Sequence, residues 1–289
     1  MRILVLRGGA LGDFLVTLPA LALLRQRWPD ARIELIGNRL AASLAVTVGV
    51  LDAVHAQHEA RWSALYGPAA LPPALAGWLA EFDLVLNYWP DPDQELARRF
   101  PARAGQNFLS ATPLPTLAPA AAHYCAPLRS LGLIPDRLVH PLRTPAPEPR
   151  LVALHPGSGS VRKNWPVNHW LALARWLQDE LRFTVLVITG EAEPAATLAG
   201  VGLHLHARPL AEVADHLARC QLFVGHDSGI SHLAAATGTP SVLLFGPTAP
   251  DLWAPPAPGV HVLQRGTDLA ALSFTEVQQA VALRLTDQS

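Results

Sequence analysis

Short runs dense in aliphatic and β-branched residues alternate along this chain with longer segments whose apolar positions recur at helical spacing. RILVLR (2–7), ARIELIG (31–37), DAVHA (52–56) and DLVLNY (83–88) read as strands. Between the first two lies LGDFLVTLPALALLRQRW, with the i, i+3, i+4 pattern of one amphipathic helix. Alternation of this kind predicts βαβ units around a mostly parallel sheet. SATPLPTLAPA (110–120) reads as loop, with helix resuming over 120–132.

HPLRTPAPEPR (140–150) holds four prolines and no apolar period, and reads as an interdomain linker. A second series of α/β units follows. Its strands are LVALH (151–155), FTVLVIT (183–189), LFVG (222–225) and SVLLFG (241–246). Its helices are VNHWLALARWLQDE (167–180), PLAEVADHLARC (209–220) and SGISHLAAATG (228–238). SFTEVQQAVALRL (273–285) supplies a closing helix. The expected organisation is an N-terminal domain over 1–145, a C-terminal domain over 151–272 and a final helical segment over 273–289. Two such domains predict a ligand cleft lined by the carboxyl ends of parallel strands.

Composition narrows the classes. Half of the 289 residues are hydrophobic and 16% are charged, so core material is plentiful. A net charge of −1 gives no field suited to nucleic acid. Two distant cysteines, Cys125 and Cys220, form no disulfide framework or metal spacing, which fits a reducing compartment. The start, ILVL, lacks the features of a signal peptide, and LAASLAVTVGVL (40–51) is too short to span a bilayer. A cytoplasmic protein is expected. Of 22 basic residues only Lys163 is lysine, which singles out its surroundings.

Three segments carry candidate chemistry. In RGGALGD (7–13), Gly8, Gly9 and Gly12 allow a tight turn and close backbone approach, and Asp13 stands at the helix start as either a cap or an acid-base group. The spacing is not G-x-G-x-x-G, and Gly37-Asn38 stands where a dinucleotide fold would end its second strand on an acid. In HPGSGSVRKNWP (155–166), Gly157, Ser158, Gly159 and Ser160 can offer N–H and hydroxyl groups to phosphate oxygens, with Lys163 adding a point charge. It does not match the P-loop pattern. In VGHDSGISHLAAATGTPSVLLFGPTAP (224–250), Asp227 and Ser228 open a helix whose N-terminus suits an anion. Asp227 has a helix cap as its lesser reading, and His232 reads more simply as a satisfied buried histidine. No G-x-S-x-G supports a hydrolase.

Other candidates are weaker. Asp91 and Asp93 in WPDPDQE resemble a metal-binding D-x-D and read better as helix-start acids. Trp62, Trp78 and Trp89 suit an acceptor site or simple packing. Glu191, just past FTVLVITG, is placed to bind a ribose hydroxyl or to face solvent.

Taken in order, ILVLRGGALGDFLVTLPAL, HPGSGSVRKNWP, ITGEAE and GHDSGISHLAAATGTPSVLLFGPT resemble the ADP-heptose:lipopolysaccharide heptosyltransferases of glycosyltransferase family nine. The resemblance implies a GT-B fold, two Rossmann-like domains facing across a cleft, with acceptor on the N-terminal side, donor on the C-terminal side and the last helix crossing back. It implies Asp13 as general base, with Gly9 and Gly12 beside it. Lys163 and the Ser158–Gly159–Ser160 loop would stabilise the departing diphosphate. Glu191 would hold ribose, and Asp227, Ser228, Gly229 and His232 would line the donor site. The implied reaction is an inverting transfer from an ADP-sugar, needing neither metal nor cofactor, to a glycan or glycolipid at the inner face of the membrane. A nucleotide-sugar epimerase and a non-catalytic nucleotide-sugar-binding module remain open alternatives.

Overall fold

The structure, a computed structural model, describes residues 1–101, 104–191, 193–194 and 197–286. The chain divides into two compact units, Met1–Leu138 and Val139–Ser289. The first holds a five-stranded parallel sheet of β1 (Arg2–Arg7), β2 (Arg32–Gly37), β3 (Ala53–Ala56), β4 (Leu84–Asn87) and β5 (Asn107–Ser110), in the order β3-β2-β1-β4-β5. Ile3, Leu4, Val5 and Leu6 are all buried, as expected of a parallel strand with both faces covered. β1 pairs β2 on one side and β4 on the other, with Leu6 opposite both Ile36 and Asn87. Strand order therefore reverses at β1, and the turn after Arg7 emerges at the point where open α/β sheets bind ligands.

The single first helix expected from periodicity is two helices, Leu11–Leu15 and Leu18–Arg27. Pro19 lies in the first turn of the second. It has no N–H to continue the ladder, and its ring would clash with the carbonyl four residues back.

The second unit contains β6 (Leu151–His155), β7 (Thr184–Thr189), β8 (Leu203–His206), β9 (Leu222–His226), β10 (Ser241–Phe245) and β11 (Val260–Gln264). All pairings are parallel, in the order β11-β10-β9-β6-β7-β8. Here the order reverses between β6 and β9, where His155 lies opposite Gly225. Trp165, Trp170, Leu173 and Leu177 pack on Val152, Val185, Leu222 and Val224 to form the core.

Two further segments pack on the second unit. Residues 140–150 run hydrogen-bonded along the second unit: Leu142 N donates to Ala236 O (2.7 Å), Ala146 N to Ala218 O (2.9 Å) and Glu148 N to Arg219 O (2.7 Å). The closing helix, Phe274–Thr286, buries Val277, Ala280 and Val281 in the second unit's core. Residues 287–289 of that segment lie outside the described residues. Among the described residues, no helix is long and apolar enough to cross a membrane.

Candidate functional site

In the first unit the site is the turn from β1 into the helix Leu11–Leu15. Ala10 occupies the N-cap position, and Asp13 sits at the third helical position. Asp13 is thus not the cap residue itself; its Oδ2 reaches back to accept the Ala10 N–H at 2.9 Å. Its Oδ1 lies 3.2 Å from Nη2 of Arg7. Arg7 is only 4% exposed, whereas Asp13 is 37% exposed, so a buried cation aims a carboxylate that solvent can reach. The guanidinium is fixed further by Asp13 O (3.1 Å), Thr17 Oγ1 (3.0 Å), Pro113 O (3.3 Å) and the Tyr124 hydroxyl (3.0 Å). It also lies 4.4 Å from the centre of the Tyr124 ring.

Gly9 has φ +109°, and a Cβ there would run into the Asp13 carboxylate. Glycine is therefore required by backbone conformation and by the acid's position together. Gly9 N donates to Gln57 Oε1 (3.1 Å), and Asn38 Nδ2 donates to Gly9 O (3.1 Å), pinning the turn from β2 and β3. Gly12 lies within the short helix, its carbonyl accepting Val16 N at 3.0 Å.

In the second unit the loop after β6 and the helix after β9 meet. Lys163 Nζ lies 2.7 Å from Asp227 Oδ2, with exposures of 28% and 12%. Thr248 Oγ1, from the turn after β10, donates to the same oxygen at 2.7 Å. Ser228 is the N-cap of the helix Gly229–Ala236, accepting Ser231 N, so Asp227 is released from capping to meet Lys163. Ser158 Oγ bonds Ser160 O (2.8 Å) and Asn164 Oδ1 (2.6 Å), and Gly159 has φ +71°, which shapes the turn between them. Gly229 is the first residue of the helix, and His232 is buried one turn on, its N–H reaching Ser228 O at 3.4 Å.

Two residues that sequence reasoning passed over order this loop. His226, the last residue of β9, accepts Trp165 N on Nε2 (2.8 Å), which leaves Nδ1 to donate to Gly157 O (3.2 Å). One neutral ring thereby holds both ends of the 157–165 segment. Burial pushes its pKa down to about 3. Glu191 is exposed just beyond β7. Its neighbour Glu193 folds inward instead, accepting Gly190 N at 2.7 Å and lying where a side chain on Gly157 would go. Asp91 has both oxygens committed to the helix Glu95–Arg99, accepting Leu96 N (2.9 Å) and Ala97 N (3.1 Å).

Comparison with known proteins decides the family. The model of glycosyltransferase family 9 (heptosyltransferase) matches residues 133–279, just over half of the chain. The chain belongs to glycosyltransferase family 9. Within the family it is 40% identical over 109 residues to lipopolysaccharide heptosyltransferase 1 of Pseudomonas aeruginosa, a stretch covering 35% of this chain and 30% of that protein. It is 35% identical over 103 residues to lipopolysaccharide heptosyltransferase 2 of Escherichia coli K12, covering 32% and 30%. These matches thus span under a third of the curated relatives' length. The fold likeness is broader. A family 9 glycosyl transferase from Veillonella parvula superposes with a TM-score of 0.78 at 19% identity, over 99% of this chain and 97% of that one. The E. coli heptosyltransferase WaaC with ADP gives 0.75 at 21% identity, over 98% and 100%. The family 9 chain therefore has the GT-B fold, built from two Rossmann-like units.

Proposed function

We propose that this family 9 chain is an inverting, metal-independent glycosyltransferase that moves a sugar from an ADP-sugar to a saccharide acceptor. The observation that carries the reading is the Lys163–Asp227–Thr248 cluster at the N-terminus of the helix Gly229–Ala236. It joins an ammonium, a helix N-terminus and the glycine-serine loop of residues 157–160 at one reversal of strand order. That is a diphosphate-binding chemistry. Asp227 and Thr248 steer the lysine, whose remaining N–H groups are directed at phosphate oxygens. Ser158, Gly159, Ser160, Ser228 and Gly229 add backbone and hydroxyl donors. Glu191 or, by its inward position, Glu193 binds the ribose, and His232 lines the donor pocket. The donor nucleoside is assigned as adenosine by kinship with the solved relative WaaC, which is seen with ADP, and the sugar as heptose because the relatives are heptosyltransferases.

Asp13 is the base of the reaction. It takes the proton of the acceptor hydroxyl as that oxygen bonds to the anomeric carbon. The bond from that carbon to the diphosphate oxygen breaks on the opposite face, and ADP departs. One displacement inverts the anomeric centre. The charge that develops on the diphosphate meets Lys163 and oriented N–H dipoles. Lys163 supplies the cation a metal would otherwise provide, and Asp91 is committed to its helix. The acceptor is a glycan or glycolipid, reached on the inner face of the membrane by a cytoplasmic protein. The domains assigned to acceptor and donor are residues 1–145 and 151–272, with the 273–289 segment closing the chain.

A melting-temperature panel tests the donor reading. ADP should stabilise the chain by about 2.7 kcal/mol at a hundredfold excess over its dissociation constant. UDP, GDP and CMP should do much less. Stabilisation by UDP or GDP but not ADP would reject the donor assignment.

A further inference from the structure

Beyond the ends of β4 and β5 the first unit holds a cavity of about 710 Å³, within the range of small-molecule sites. Its walls include Asn87, Trp89, Phe108, Ser110, Thr112 and Pro113. Two of these also touch the turn that carries Asp13. Trp89 Nε1 lies 3.5 Å from where a Cβ on Gly8 would stand. Pro113 O accepts Arg7 Nη1 at 3.3 Å, while Nη2 of the same guanidinium lies 3.2 Å from Asp13 Oδ1. One guanidinium width therefore separates a wall of the cavity from the carboxylate.

The charge of the cavity is its distinguishing property. Among its described lining residues there is no Arg, Lys or His. Among the same described residues the one ionisable group is Asp91, whose two oxygens accept Leu96 N and Ala97 N. Arg7, the nearest cation named above, is buried, and its Nε, Nη1 and Nη2 each donate to Asp13, Thr17, Pro113 or Tyr124. What the walls offer is aromatic surface from Trp89 and Phe108 beside neutral amides and hydroxyls from Asn87, Gln94, Ser110 and Thr112. Aromatic faces suit the C–H faces of a pyranose, and amides and hydroxyls suit its OH groups. An anionic sugar would bring an unpaired carboxylate against neutral walls and the Asp91 charge.

We propose that this cavity seats the acceptor, and that the acceptor unit seated there is an uncharged saccharide. Its ring packs on Trp89 and its reacting hydroxyl faces Asp13. The inference rests on the reading of Asp13 as the base, and deepens it by naming the acceptor class.

The test uses the full chain without donor, so that it stands apart from the ADP melting assay. Binding is read by saturation-transfer NMR for methyl glycosides of glucose, galactose and mannose, each against its matching uronate, which differs by one carboxylate. At least one neutral glycoside should bind about tenfold or more tighter than its uronate. Trp89→Ala should weaken that glycoside by about tenfold while leaving the ADP-induced melting shift intact. Ser110→Arg, an exposed position on the cavity wall, should raise uronate affinity above that of wild type. The proposal is overturned if no neutral glycoside binds, if the uronates bind as well, or if Trp89→Ala changes nothing. Loss of the ADP shift in wild type would instead overturn the donor reading.

Discussion

The turns after β1 and after β6 occupy equivalent places, each leading from the strand at which sheet order reverses into a helix. They are built on opposite electrostatics. After β1, a buried arginine holds a half-exposed carboxylate. After β6, a neutral buried histidine holds the backbone, and the carboxylate that follows β9 holds a lysine. The same topology thus delivers an acid in one unit and a cation in the other. What differs is the charge of the buried group beneath each turn: cationic under Asp13, neutral under the glycine-serine loop.

The largest effect expected from breaking this pairing is at Asp13. Asp13→Asn should lower turnover by ~10²–10⁴-fold, the range for loss of a general base. Asn can still accept the Ala10 N–H, but Arg7 loses its anionic partner. Stability should therefore also fall, by about 1–3 kcal/mol, a loss limited by Asp13's exposure. Measuring turnover and urea unfolding on the same protein separates the two. A stable variant with near-wild-type turnover would leave Asp13 as a helix-orienting residue alone.

Next in size is Lys163→Ala. Removing a charged hydrogen-bond donor should raise the ADP dissociation constant ~10–100-fold. Calorimetric titration reads this directly, and unchanged ADP affinity would move the diphosphate elsewhere.

His226→Leu should cost about 1–3 kcal/mol by leaving Trp165 N–H and Gly157 O without their ring partner. The wild type carries a matching pH signature. Below about pH 6.5 the unfolded chain protonates this imidazole, whereas the folded chain resists until about 3, because burial disfavours the charged ring. The unfolded state then binds more protons, so stability falls as pH falls through this window, by up to about 1.4 kcal/mol per pH unit. His155, buried and also lowered, adds to the slope. Carboxylates held low, such as Glu276 at about 2, contribute only below about pH 4.5. His226→Leu should flatten the profile between pH 6.5 and 4.5; an unaltered slope would mean the ring is not buried neutral.

The smallest effect, ideally none, is expected from chelation. EDTA should leave sugar transfer unchanged, and Asp93→Asn should do the same. Activity lost to EDTA and restored by magnesium or manganese would reject the metal-free reading.

Seven of the eight strands legible in the sequence are almost wholly buried; the eighth, β3, is an edge strand with only Ala56 buried. The three not anticipated, β5, β8 and β11, are all edge strands with partly exposed residues throughout, so the apolar signal is missing. The helix Arg39–Thr47 lay hidden inside a segment noticed only for its hydrophobicity. At the site, glycines and lone charged residues announced Gly9, Asp13, Lys163 and Asp227. Their partners did not announce themselves. Trp165 and His226 are 61 positions apart, Asp227 and Thr248 are 21 apart, and only the folded sheet brings them together. Arg7 carried a faint signal, a cation ending a strand whose preceding four residues are wholly apolar.

The proline-rich strap has a practical consequence for anyone cutting the gene. A fragment opening at Leu151 looks natural from the strand pattern, yet it would discard the backbone bonds of Leu142, Ala146 and Glu148. It would also strip Arg143 from Asp215 and Glu148 from Arg219, and remove the Arg150 N–H that Gln221 accepts. The carbonyls of Ala218, Arg219 and Ala236 would lose these partners at the C-terminal ends of two helices. A fragment opening at Val139 keeps the strap, and should be the better expressed and the less aggregating of the two.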